Sequence, residues 1–335
     1  MIKQDNILQR QTFGAGLLNL FQQRSVQLLI AGWVAGLMVV LAIGIEGLPT
    51  PVFGESATLA VLGQLGLLTA ELLIIAIIYA TTRHRSPVNF AARVGKWDRT
   101  VTETGLFWGY IVIALALGGY VGFGLHPEGT IFGPLRQVRP GELVAWAGFN
   151  FVLFGLIPYV AFRALGYTHD DLGLTSNNLR ADVLLILLVL SIEALFELTG
   201  FTGIFYLTPT QLLTGIPLSF LIHLFGTGLP IMICIHSILI PRYMQLTGSM
   251  VTSTILGGLT YAAFHIFEYW TVFDTASLSL LSVIFVFSQF TGPGMVKAIL
   301  TLRTGNAWVH LWSYHAIAPH VMIDTPHIVE VFKLR

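Results

Sequence analysis

The chain has 335 residues, of which 55% are hydrophobic and only 10% are charged. Soluble domains are about one-quarter charged, so this composition excludes an ordinary soluble domain and predicts a membrane protein. The net charge is zero, which offers no basic field for nucleic acid, and the single cysteine, Cys234, excludes an internal disulfide and a cysteine-rich metal site.

Nine apolar stretches are long enough to cross a bilayer as helices, which takes about 20 residues. The first is too long for the h-region of a signal peptide and is interpreted as a retained span. The sixth contains Pro217 and the sequence GTGLP, so we expect it to be kinked or split. The predicted fold is an all-α, polytopic membrane helical bundle of about nine transmembrane helices. The stretches are 26–46, 57–80, 104–125, 142–164, 182–200, 211–240, 251–271, 278–298 and 305–323.

The placement of lysine and arginine predicts the orientation. With the N-terminus in the cytoplasm and nine alternating spans, thirteen of these residues fall on the inner side and four on the outer side. This asymmetry follows the positive-inside rule. We therefore expect a multi-pass protein of a bacterial or archaeal-type inner membrane, with its C-terminus on the far side.

Several ionisable residues lie inside the predicted spans. A charge at the bilayer centre costs about 3 kcal/mol, so such side chains are expected to face the protein interior or a wet cavity. SIEALFELTGF places two glutamates four residues apart on one helical face. The candidates are Glu71, Glu193, Glu197, His223, His236, His265, Glu268, His310, His315 and His320.

The histidines are concentrated in the last third of the chain, on predicted spans six, seven and nine. In WVHLWSYHAIAPH they are five residues apart, so His310, His315 and His320 cannot all point at one metal from a straight helix. Imidazoles from adjacent spans could hold Zn²⁺ with three protein ligands and a water. The same imidazoles could ligate a haem or a chlorophyll-type pigment, and spacing does not choose between these cofactors.

Residues from about 166 onward resemble the CPBP family of intramembrane proteases, which includes the CAAX proteases and bacteriocin-processing (Abi) proteins. HDDLGLTSNNLRADVLL resembles the segment before the family core, and SILIPRYMQLTGS the end of its first motif helix. GGLTYAAFHIF resembles the FxxxH motif, with Tyr261 for phenylalanine and His265 as the histidine. FVFSQFTGPGMVKAILTLRTGNAWVHLWSYHAIAPH resembles the last two helices, with His315 nearest to the histidine of HxxxN/D.

Two departures from the family pattern affect the expected chemistry. In the EExxxR motif, an arginine at Arg242 puts the glutamate positions on Ser237 and Ile238, so the usual carboxylate base is missing. In the last motif, Pro319 stands where the family has Asn or Asp. Glu268, three residues after His265, could supply a base or could lie at the outer membrane interface.

The resemblance implies a division into an N-terminal four-helix membrane extension, 1–165, and a CPBP-like core, 166–335. It implies a metal held by His236, His265 and His315, with His265 and His315 as catalytic candidates. Glu197 and Glu268, which match no family motif position, are the further catalytic candidates, since either could be the base. The function is then either a metal-dependent intramembrane endopeptidase or a degenerate, non-catalytic relative. The second would serve as an accessory or cofactor-binding subunit of a membrane complex. A transporter is the further alternative, suggested by the interrupted sixth span. The expected partners are the lipid bilayer, other membrane subunits or a membrane-embedded peptide.

Overall fold

The computed structural model describes residues 19–48, 56–121, 139–200, 203–266 and 271–335, and within these ranges the regular structure is entirely helical. The all-α prediction is confirmed. The helices are α1 (Arg24–Ile43), α2 (Ala57–Thr82), α3 (Phe90–Val94), α4 (Trp97–Val121), α5 (Pro140–Ala164), α6 (Leu179–Gly200), α7 (Pro209–Thr247), α8 (Met250–Ala263), α9 (Ala276–Thr304), α10 (Ala307–His310) and α11 (Thr325–Val331). Two π-helical segments, Leu311–His315 and Ala318–Ile323, lie between α10 and α11.

Six of the described helices are long and apolar enough to cross a membrane: α1, α2, α4, α5, α7 and α9. They fit a multi-pass integral membrane protein. Large apolar side chains on their outer faces are exposed, such as Leu106 at 71% and Leu213 at 78%. A surface of this kind is suited to lipid and not to water.

The predicted count of nine spans is not confirmed. The helix α8 has only 14 residues, about 21 Å of helix, which is shorter than the hydrocarbon core. The predicted span 305–323 is divided into α10 and two π-helical segments. The helix α6 has 22 residues but carries four charged side chains and is not among the six.

The expected interruption at GTGLP is a π-helical segment inside one continuous helix. The helix α7 runs for 39 residues through Pro217 and Pro230, with π-helical turns at Leu224–Gly228 and Met232–Leu239. Proline lacks an N–H group and leaves a carbonyl unpaired, and a wider turn is one way in which a helix continues past it. This helix lies at the centre of the molecule, where Ile231, Ile235 and Ile238 are fully buried.

Close packing of α8 against α9 depends on small residues. A Cβ atom on Gly258 would lie 2.5 Å from the carbonyl oxygen of Thr291, and one on Gly294 would lie 2.6 Å from Cβ of Tyr261. Only glycine allows the two backbones to approach so closely, as is common between membrane helices. The contact fixes Tyr261, and with it the start of the turn that carries His265.

Buried polar contacts join the part before residue 166 to the part after it. The hydroxyl of Tyr314 donates to Glu71 at 2.6 Å, and Arg242 pairs with Glu103 at 2.6 Å. The parts before and after residue 166 are therefore in close contact. Their division into an N-terminal extension and a core stays a prediction.

Candidate metal centre

Five buried histidines form a continuous row through the last third of the chain. Successive ring centroids are 3.5 Å apart from His236 to His310, 6.1 Å from His310 to His315, 5.2 Å from His315 to His320 and 4.7 Å from His320 to His223. The helix α7 supplies the two end members, and the segment 307–323 supplies the three between them. All five side chains are at most 4% exposed.

His223, at one end of the row, has a fixed tautomer. Its Nδ1 lies 2.8 Å from the carbonyl oxygen of Ser219, one turn earlier in α7. A carbonyl can only accept, so Nδ1 carries the proton and Nε2 presents a lone pair. This Nε2 has no hydrogen-bond partner among the described residues.

The neighbouring His320 is oriented by Thr227, which lies in the π-helical turn of α7. The Thr227 hydroxyl donates to the carbonyl of His223 at 2.9 Å and lies 3.1 Å from Nε2 of His320. With its hydrogen used in this way, the hydroxyl can accept from Nε2–H. In that tautomer the lone pair of His320 is on Nδ1.

Both lone pairs face the carboxylate of Asp324. Its Oδ2 atom is 2.8 Å from Nδ1 of His320 and 3.4 Å from Nε2 of His223. The three side chains offer donor atoms that all lie within 4.8 Å of one another. Three acceptor atoms meeting without a hydrogen between them need a cation, either a proton or a metal ion.

The spacing and donor types fit a first-row divalent ion such as Zn²⁺. Tetrahedral zinc with ligands at 2.0–2.2 Å places neighbouring donor atoms about 3.3 Å apart. The second protein contact on each imidazole, to Ser219 or Thr227, is the arrangement that orients histidine ligands in metal sites. Two histidines and one carboxylate leave a fourth position for water, as in catalytic zinc sites.

The helix turn at 224–228 is shaped around an aromatic ring that packs on the centre. Trp146 of α5 is fully buried and meets the His223 ring edge-on, with centroids 6.2 Å apart. A Cβ atom on Gly226 would lie 2.5 Å from the indole ring. Glycine at this position therefore permits the indole to lie against the turn that carries His223 and Thr227.

A carboxylate outside the three-residue group lies within its electrostatic range. Glu197 is partly buried near the end of α6, and its charge interacts with that of Asp324. It was a catalytic candidate from the sequence. If Zn²⁺ were held by the three residues, a nearby carboxylate such as Glu197 would be suited to accept a proton from its water ligand.

The other predicted metal ligands lie apart from this centre. Nδ1 of His236 lies 2.9 Å from the Thr301 hydroxyl, and its ring stacks on His310, while His315 lies midway along the row. His265 donates to the carbonyl of Tyr261 at 2.7 Å and stacks on Phe290. Among the described residues, His236, His265 and His315 do not form a group whose donor atoms all lie within 4.8 Å. Glu268 lies outside the described residues.

Arg242, the expected motif arginine, takes its carboxylate from another helix. Glu103 of α4 accepts from its Nη2 at 2.6 Å, and the Arg242 guanidinium lies 4.4 Å from the Phe162 ring centroid. Tyr167 also donates to Glu103, and burial together with this hydrogen bond raises the pKa of the Tyr167 phenol to about 12. Glu103 was not singled out in the sequence, because nothing local to it marks a partner 139 residues away.

His223 and His320 were among the sequence candidates but were not assigned to the metal. Asp324 was missed because it follows the last predicted span. The i, i+4 pair of His320 and Asp324, in APHVMID, is the one local signal for this site.

Comparisons with protein-family models, with curated proteins and with solved structures find no match to this chain.

Proposed function

We propose that this integral membrane protein is a metal-dependent hydrolase of the intramembrane endopeptidase class, with Zn²⁺ held by His223, His320 and Asp324. The convergence of three acceptor atoms that lack a hydrogen between them carries the proposal. The reaction class comes from the resemblance of residues 241–320 to CPBP proteases. The metal ligands differ from the set expected on that resemblance.

Each residue of the site has a distinct role in the proposed hydrolysis. Bound Zn²⁺ would supply Lewis acidity and lower the pKa of a water ligand. Glu197 accepts a proton from the attacking water, whose oxygen adds to the peptide carbonyl carbon. The same proton passes to the leaving nitrogen as the C–N bond breaks. Thr227 and Ser219 keep both imidazoles in the ligand tautomer throughout.

Elemental analysis of the detergent-purified protein tests the metal. We expect about one zinc per chain in the wild type and a loss of at least tenfold in affinity for His320→Gln, since outer-shell changes alone cost 10–100-fold. The matched control is His84→Gln, at an exposed histidine. Wild-type protein that stays free of metal in zinc-supplemented buffer would overturn the proposal. An absorption spectrum of the same sample would reveal a haem or pigment instead.

Hydrolysis is tested in proteoliposomes with apolar single-span peptides that carry a fluorophore and a quencher. Glu197→Gln should retain zinc but lose at least a hundredfold in cleavage rate, the usual contribution of a general base. Retention of full cleavage activity by Glu197→Gln would remove Glu197 from the mechanism.

A non-catalytic accessory subunit is the second candidate, and one observation favours it. The three metal ligands are 1–4% exposed, and neither of the two described cavities is lined by a histidine of the row. The larger cavity, of about 890 Å³, lies between the loop after α2 and the start of α6. Zinc in the wild type without cleavage of any peptide would support this second candidate.

A further inference from the structure

A second buried polar cluster lies in the bundle and uses none of the proposed metal ligands. The helices α2, α6 and α9 supply Glu71, Glu193 and Lys297, which are 3%, 6% and 1% exposed. The segment 311–315 adds Tyr314. Ionisable groups at this depth in a membrane protein are costly, so they indicate a functional site unless they neutralise one another.

Lys297 has the surroundings of a charged ammonium group. Its Nζ atom lies 3.6 Å from the ring centroid of Tyr261 and 5.0 Å from that of Tyr314. Aromatic faces attract a cation more strongly than a neutral amine of the same shape. Residues near the three charged groups in sequence, Ile74, Ile192 and Val296, pack in one buried cluster that includes Tyr314.

Glu71 is held as an acceptor. Its Oε1 accepts the Tyr314 hydroxyl at 2.6 Å, and its Cγ lies 3.0 Å from where a Cβ on Gly292 would be. The glycine lets α9 approach the carboxylate. The other oxygen, Oε2, has no hydrogen-bond partner in the described part of the chain, and neither has Oε1 of Glu193.

The charges do not balance with every group ionised. One ammonium and two carboxylates sum to minus one, and an uncompensated charge in a dry interior costs several kcal/mol. A proton on one carboxyl makes the cluster neutral. Glu71 already accepts from Tyr314, so Glu193 is the better carrier.

We propose that Glu71, Glu193 and Lys297 form a proton-binding site inside the membrane, in which the two carboxyls together hold one exchangeable proton and Lys297 stays charged. The ligand is the proton itself. None of its three residues is a proposed metal ligand, so its loss or presence leaves the zinc proposal as it is.

Other titratable groups adjoin the cluster on every side. They are Glu197 on α6, His236 on α7, Tyr261 on α8, His265 after α8, and His310, Tyr314, His315 and His320 on 307–323. The proposal assigns the proton count to charge balance among Glu71, Glu193 and Lys297.

Infrared spectroscopy of the protein in lipid at pH 7 counts protonated carboxyls through their C=O band. Relative to the wild type, Glu71→Gln and Glu193→Gln should each remove the same single-carboxyl component completely, because either change leaves one carboxylate to balance Lys297. Lys297→Met should add a second component. The double variant Glu71→Gln/Lys297→Met should return to one.

Exposed residues provide the controls. Glu46→Gln and Lys96→Met change the same residue types outside the cluster and should leave the band unaltered. Transfer into D₂O should shift the shared component, which shows that its proton exchanges. The proposal is overturned if the two glutamate variants remove different, additive components, if Lys297→Met leaves the band unchanged, or if the component fails to shift in D₂O.

Discussion

Asp324 supplies the negative charge that draws two imidazole lone pairs to one point. Nδ1 of His320 and Nε2 of His223 face Oδ2 of Asp324 at 2.8 and 3.4 Å. An asparagine at this position would place a donor there instead of an acceptor, because its side-chain nitrogen can donate to both imidazoles. Substitution by asparagine therefore distinguishes cation binding from hydrogen bonding to the imidazoles, whereas alanine would remove both. A carboxylate favours a bound cation, whereas an amide satisfies the same imidazoles without one.

We therefore expect Asp324→Asn to fold normally, to lose zinc, and to gain stability in the metal-free state by about 1 kcal/mol, the net worth of a buried hydrogen bond. Thermal unfolding of chelator-treated protein, with and without added zinc, measures this. Zinc should raise the unfolding temperature of the wild type and leave that of the variant unchanged. A variant that zinc still stabilises to the wild-type extent would contradict a ligand role for Asp324.

At the scale of the helix, the sequence pattern predicts regular elements well and their interruptions poorly. The apolar runs that became α1, α2, α5 and α9 needed only length and hydropathy. The span expected at 251–271 is not confirmed, because α8 stops at Ala263, where the chain turns to bring His265 against Phe290. That turn is specified by tertiary packing and has no strong local signal.

The residues of the candidate site could likewise be predicted from the sequence only where a local pattern marks them. The histidines were identifiable because an imidazole inside an apolar run stands out. Asp324 was not, since its position after a predicted span made it an ordinary end-of-helix acid. Likewise, the Glu103 partner of Arg242 comes from α4, and only the fold brings α4 and α7 together.

The ion pair between α4 and α7 gives a prediction for a helix contact. Glu103 accepts from Arg242, which is 1% exposed, and from Arg99, which is 50% exposed. Glu103→Gln leaves a buried guanidinium without its carboxylate and should destabilise the protein by about 2 kcal/mol, somewhat below the value for a fully buried pair. Arg99→Gln, which removes only the exposed partner of the same carboxylate, should cost less than about 1 kcal/mol. Equal losses in denaturant titrations of the two variants would argue against a stabilising contact between Arg242 and Glu103.

The membrane topology of the whole molecule depends on how many of its helices cross the bilayer. Six helices have the length and hydropathy of a membrane span, whereas the predicted distribution of lysine and arginine assumed nine spans. The helix α6 is the informative case, because it is long enough to cross but contains Glu193, which is buried, and Glu197. If α6 crosses, its two ends lie on opposite sides of the membrane.

Cysteine labelling with a membrane-impermeant maleimide resolves this, in a background where the buried Cys234 is replaced by alanine. We expect Ser86→Cys before α4 and Asn177→Cys before α6 to be labelled from the cytoplasmic side, as the arginine-rich loop after α2 predicts. Tyr206→Cys, at a 91% exposed position after α6, should be labelled only from the other side.

Two spans, α4 and α5, separate Ser86 from Asn177, so the cysteines at these two positions must be labelled from the same side and serve as each other's control. Labelling of Tyr206→Cys from the cytoplasmic side would show that α6 does not cross. Labelling of the first two sites from outside would invert the whole orientation.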